Sequence, residues 1–73
     1  MTSIEASALQ ITLNGEPKRV DVTTVAALVD DLKLDPRRVA IERNLAIVPR
    51  GRYADTPIEN GDRIEIVGFI GGG

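Results

Sequence analysis

Hydrophobic and polar residues alternate from Leu9 onward. Leu9, Ile11 and Leu13 fall on one side of the chain, Gln10 and Thr12 on the other, which is the period of a half-buried strand. Asn14-Gly15 follows, a pair in which both residues tolerate positive φ and which favours a tight hairpin turn. A second alternation places Val20 and Val22 inward and Arg19 and Asp21 outward. The two segments predict an antiparallel hairpin. The period then changes. Val25, Leu28, Val29 and Leu32 stand at i, i+3, i+4 and i+7, one face of a helix, and Thr24 is placed to cap its first turn. Asp35-Pro36 opposes further helix, because the residue before proline is pushed out of the α region. A helix of about two and a half turns is too short to stand alone and must lie on a sheet.

From Arg38 to Arg43 the alternation returns, with Val39 and Ile41 on one side and Ala40 and Glu42 on the other. Asn44-Leu45-Ala46 reads as a bend. Ile47-Val48 is a short extended run that stops at Pro49, and residues 50–57, with Gly51 and Pro57, read as irregular. Asn60-Gly61-Asp62 is a further turn. The last strand is expected from about Arg63 to Phe69, with Ile64 and Ile66 inward and Glu65, Val67 and Phe69 outward. Gly68 reads as a local bulge or an edge position. No repeat or long linker divides the sequence. Residues 1–7 are expected to be frayed, 8–70 to form one domain, and 71–73 to form a flexible glycine tail. The class is α+β: a mixed sheet of four to five strands with one helix packed across one face.

At 73 residues, 42% hydrophobic and 27% charged, the chain has the composition of a small globular domain. It contains neither cysteine nor histidine. That excludes disulfides, thiolate metal sites and a cysteine nucleophile, and removes the commonest general base near neutral pH. The expectation is a protein that is acted upon, not a catalyst. A net charge of −2 opposes nucleic-acid binding. No apolar run approaches the roughly 20 residues of a membrane span, and the N-terminus lacks the pattern of a signal peptide, so a cytoplasmic protein is expected.

Gly71-Gly72-Gly73 carries the candidate chemistry. Alone, three glycines read equally as a frayed end or as a functional arm. Without Cβ atoms they can thread a narrow channel and bring a carboxylate to another enzyme's nucleotide site. Phe69 and the arginines Arg50, Arg52 and Arg63 are candidate docking groups for an acidic partner; the alternative for each is local packing or solvation.

Several segments together resemble the sulfur-carrier family of thiamine thiazole biosynthesis (ThiS). They are Asn14-Gly15-Glu16, Thr24-Val25-Ala26-Ala27-Leu28, Val39-Ala40-Ile41-Glu42-Arg43-Asn44, Ile47-Val48-Pro49-Arg50, Tyr53, Gly61-Asp62-Arg63-Ile64-Glu65-Ile66-Val67 and the glycine end. The resemblance covers about residues 8–73. It implies a ubiquitin-like β-grasp topology, which the pattern alone does not supply. It also implies that an E1-like adenylyltransferase activates the carboxylate of Gly73 with ATP and magnesium, none of it bound as a resident cofactor. Sulfur from a cysteine desulfurase or another donor then makes a thiocarboxylate, and a thiazole synthase consumes it. Gly71 and Gly72 would lie in the partner's channel. Related possibilities are the small subunit of molybdopterin synthase, a ubiquitin-like modifier, and a plain interaction module. The third glycine, Gly68 and residues 1–7 depart from a minimal family member.

Overall fold

The computed structural model describes residues 8–68. Phe69, Ile70, the three terminal glycines and residues 1–7 lie outside this range, and so do the expectations of a frayed N-terminus and a flexible tail. Five strands form one sheet: β1 (Leu9–Leu13), β2 (Glu16–Val20), β3 (Val39–Arg43), β4 (Ala46–Val48) and β5 (Arg63–Gly68). Their order is β2-β1-β5-β3-β4. The central β1–β5 pair is parallel, and the other pairs are antiparallel. The last strand in sequence therefore lies in the middle of the sheet.

The first hairpin follows from its turn. Asn14 and Gly15 have φ of 50° and 85°, the conformation that matches the twist of the flanking strands. Pro17 lies within β2, where an edge strand tolerates the missing N–H. β2 ends at Val20, so Val22 is outside the strand expected to contain it; it still packs, half-buried, against the core.

The helix α1 (Val25–Asp31) starts as its sequence requires: the Thr24 hydroxyl accepts the Ala27 N–H at 3.1 Å. Its C-terminus closes with the Lys33 N–H on Asp30 O and the Leu34 N–H on Val29 O, both at 3.0 Å, while Lys33 turns to φ 62°. Val25, Leu28 and Val29 are buried against Ile11, Val39, Ile41 and Ile64 of the sheet. The opposite face, bearing Gln10, Arg19, Ala40, Ile47, Glu65 and Val67, is open to solvent.

Two segments differ from the sequence reading. Pro36 does not merely end the helical region; it opens a short 3₁₀ turn (Pro36–Arg38), with the Asp35 carboxylate accepting the Arg37 N–H at 2.9 Å. Residues 50–55, expected to be irregular, form a 3₁₀ segment (Arg50–Asp55). Tyr53 organises it: the ring is buried, and the hydroxyl donates to Val39 O at 3.3 Å.

The β3–β4 turn uses Asn44 at φ 53° and Leu45 at φ 72°. A leucine in that region is costly, and this one is 74% exposed, so no packing offsets the cost. We predict that Leu45→Gly raises stability by about 0.5–1 kcal/mol, the steric gain less glycine's entropy cost. Urea unfolding checks this: a lower midpoint would show that Leu45 packs in a way its exposure conceals.

Candidate functional site

The candidate site is the end of β5 and the glycines that follow it in sequence. Along β5 exposure rises towards the tail: Ile64 is fully enclosed, Ile66 is half-buried, and outward Val67 and the last described residue, Gly68, are exposed. The strand thus leaves the core as it approaches the tail. Its two sides differ. On the β3 side pairing continues to the last described residue, Val39 opposite Gly68. Gly68 is therefore not a bulge but a regular ladder position paired on the β3 side alone, an edge position towards β1, and the packing leaves open space where a Cβ would stand. On the β1 side the neighbour ends at Leu13. The Asn14 side chain then substitutes for one more strand residue, its Oδ1 accepting the Ile66 N–H at 2.8 Å. Beyond Ile66 the described part of β5 has no strand on that side.

The start of β5 is fixed by a polar cluster around Asp62, which is 6% exposed. Asp62 Oδ2 accepts from Arg43 Nε at 2.7 Å and from the Glu59 N–H at 2.8 Å; Oδ1 accepts from Asn44 Nδ2 at 3.0 Å. Asn44 also accepts the Arg63 N–H at 2.8 Å, tying the β3–β4 turn to the first residue of β5. Burial alone would raise the Asp62 carboxyl pKa. The bonds from Arg43, Glu59 and Asn44 outweigh it and hold the pKa below the ordinary carboxylate value. A carboxylate so committed orders the strand and is not placed to act as a base.

A pKa lower in the folded state contributes stability above the unfolded value, near pH 4, which is lost as pH falls through the folded value. The native chain should therefore lose thermal stability below about pH 4. Asp62→Asn should melt lower at neutral pH and depend less on acid. Equal acid slopes for the two proteins would contradict this assignment.

Arg50 and Arg63 lie far apart. Arg63 opens β5, beside Asn44, whereas Arg50 follows β4 and its Nη2 donates to Arg37 O at 3.4 Å, near the start of β3. The five steps of β5 between Arg63 and Gly68 span about 16 Å, so these arginines do not form one patch. Arg50 is at the tail end of the sheet, and Arg63 is at the other. Arg52, in the 3₁₀ segment, borders a cleft with Arg43, Ala46 and Thr56. Phe69, Gly71, Gly72 and Gly73 lie outside the described residues. On the open face, Ala40 stands opposite Val67, and Ile47 opposite Glu42. Ile47 is 76% exposed and Val67 61%, so an apolar strip runs from β4 across β3 to β5, the strand that leads to the glycines. The sequence reading did not single out this strip or the Asp62 cluster. Outward Val67 hinted at the first. The side-chain partners of Asp62, Asn44 and Arg43, are 18 and 19 residues away, and no local signal joins them to it. Among the described residues no group of acidic side chains is arranged to hold a metal. No described helix is long and apolar enough to cross a membrane.

A mixed five-stranded sheet, a parallel central pair that includes the C-terminal strand, and one helix across one face define a ubiquitin-like β-grasp fold. The crystal structure of the thiamine biosynthesis protein ThiS from Geobacter metallireducens superposes with a TM-score of 0.76 at 32% identity, covering 89% of this chain and 100% of that one. The chain belongs to the ThiS family, whose model matches residues 11–73. The sulfur carrier protein ThiS of Bacillus subtilis is 36% identical over 63 residues, covering 84% of this chain and 96% of that protein. A thiazole synthase of Paramagnetospirillum magneticum is 47% identical over 66 residues, which is 89% of this chain but 20% of the synthase. The chain thus spans about a fifth of the length of the thiazole synthases it matches.

Proposed function

We propose that this chain is a sulfur carrier in the assembly of the thiamine thiazole, bearing sulfur on the carboxyl carbon of Gly73. The observation that carries the reading is the placement of β5. The central strand, anchored at its start by Asp62 and Ile64, is followed in sequence by only Phe69 and Ile70 before Gly71-Gly72-Gly73. Similarity to the Bacillus carrier over nearly its whole length supports the role.

The chemistry is acyl activation. The Gly73 carboxylate attacks the α-phosphate of ATP on an E1-like enzyme, forming an acyl adenylate and releasing pyrophosphate. Sulfide-level sulfur then attacks the acyl carbon, the C–O bond to AMP breaks, and a thiocarboxylate remains. A persulfide donor would require two further electrons from a thiol. Magnesium and ATP are used by the activating enzyme, a setting that fits the cytoplasm. The chain supplies the acyl group and no catalytic side chain. Gly71 and Gly72 give reach and slimness. The Ala40–Ile47–Val67 strip, with Phe69 following it in sequence, supplies apolar docking area beside the tail.

Thiazole synthase is the proposed acceptor of the sulfur. In two relatives named thiazole synthase, a segment similar to this chain forms 20% of the protein, consistent with carrier and synthase working as a pair. Genetic rescue tests the pathway. The gene should restore growth without thiamine to a strain lacking its own thiazole sulfur carrier. Rescue of a molybdenum-cofactor defect instead would assign the chain to molybdopterin synthesis. Higher-mass conjugates that disappear on loss of Gly73 would assign it to protein modification.

A further inference from the structure

The end of the sheet from which the tail departs is strongly cationic. Arg38 immediately precedes Val39, the residue paired with Gly68, so it flanks the point where the chain passes into residues 69–73. Arg37 is next to it. Arg50 arrives from the other side of β4 and places its guanidinium on Arg37 O. Three arginines thus lie at the end of the sheet where Gly68 stands opposite Val39. One carboxylate pairs with two of them: Asp35 lies 3.3 Å from Arg37 and 3.9 Å from Arg38. Arg50 has no ion pair among the described residues. The arrangement is built into the fold, since the Pro36–Arg38 turn is capped by Asp35 and Arg50 begins the 3₁₀ segment held by Tyr53.

We propose that Arg37, Arg38 and Arg50 form a cationic collar that seats on an acidic rim around the tail-binding opening of thiazole synthase. The inference rests on the sulfur-carrier reading and adds the surface and the chemistry of its partner. The collar takes no part in the reaction at Gly73. Gly73 is five residues beyond Gly68, up to about 18 Å of extended chain, so the collar marks the root of the tail and not its tip. Its work is orientation: guanidiniums at the root of the tail attract a complementary rim, speed encounter and align the tail with the opening. Such charges act mainly on the association rate and make it salt-dependent.

The test measures binding of the full chain to the thiazole synthase of the same organism, by stopped-flow or surface plasmon resonance, at low and at raised salt. The double variant Arg38→Glu, Arg50→Glu is compared with the native chain. A matched variant, Lys18→Glu with Arg19→Glu, makes the same charge change on β2, the opposite edge of the sheet. All three should melt within a few degrees of one another by circular dichroism. The collar variant should bind about tenfold more weakly at low salt, chiefly through slower association, and the deficit should shrink as salt rises. The β2 variant should remain within about twofold. Native-like binding by the collar variant would overturn the collar while leaving the carrier reading intact. Equal weakening by both variants would also overturn it, assigning the effect to net charge. No binding by the native chain would overturn the carrier–synthase reading itself.

Discussion

Gly72→Val will load sulfur about 100-fold more slowly than the native chain while melting at the same temperature. The rate effect comes from geometry. Activation requires the Gly73 carboxylate to reach the α-phosphate of ATP inside another enzyme, and a misplacement of about 1 Å at a reacting centre costs on the order of 10²-fold. Valine adds a branched side chain to the residue adjoining the reacting carbonyl and stiffens the backbone there. Stability should be unaffected because a glycine contributes no side chain to packing, and the described core is built on Ile11, Leu28, Ile41 and Ile64. A discontinuous assay of thiocarboxylate formation with excess activating enzyme gives the rate. Unchanged loading would mean that the channel has room for a side chain and that the glycines are not required for slimness.

Leu28→Ala will have the opposite profile, a large loss of stability with the tail sequence untouched. Leu28 is fully buried at the centre of α1 and faces the middle of the sheet. Removing a buried leucine side chain to Cβ costs about 2–5 kcal/mol, the lost transfer energy plus the cavity left behind. A domain of this size has a total stability of about 4–10 kcal/mol. The helix offers little reserve, because seven residues do not form a stable helix without the sheet. The melting temperature should therefore fall by about 10 °C or more. A loss below about 1 kcal/mol would mean that the core collapses around the vacancy far more readily than its burial suggests.

The local elements were legible wherever a short-range signal existed. Asn14-Gly15 announced the first hairpin through its backbone preference. Thr24 and the spacing of Val25, Leu28, Val29 and Leu32 announced the helix. Alternation placed β3 and β5 to within a residue. Long-range pairing was not legible from periodicity. Nothing in the local pattern of Arg63–Gly68 indicates that this strand inserts between β1 and β3; the family resemblance supplied that topology. The two 3₁₀ segments are too short for a periodic signal, and the one at 50–55 is organised by a bond from Tyr53 to Val39, fourteen residues away. Gly68 reads as a bulge or an edge position because a strand glycine often marks one; it is paired with Val39 on one side only, so the edge reading holds and the bulge does not. At the site, the glycines stood out in sequence because they contribute no packing. The arginines at the tail's base did not, because Arg37, Arg38 and Arg50 meet only when β3 and the 3₁₀ segment fold together.

Intact-mass spectrometry of the native chain after incubation with its activating enzyme, magnesium-ATP and sulfide tests the central claim most directly. The account predicts a gain equal to the exchange of one oxygen for one sulfur, with fragmentation placing it on Gly73. An unchanged mass would contradict it, as would the same gain in a chain lacking Gly72 and Gly73.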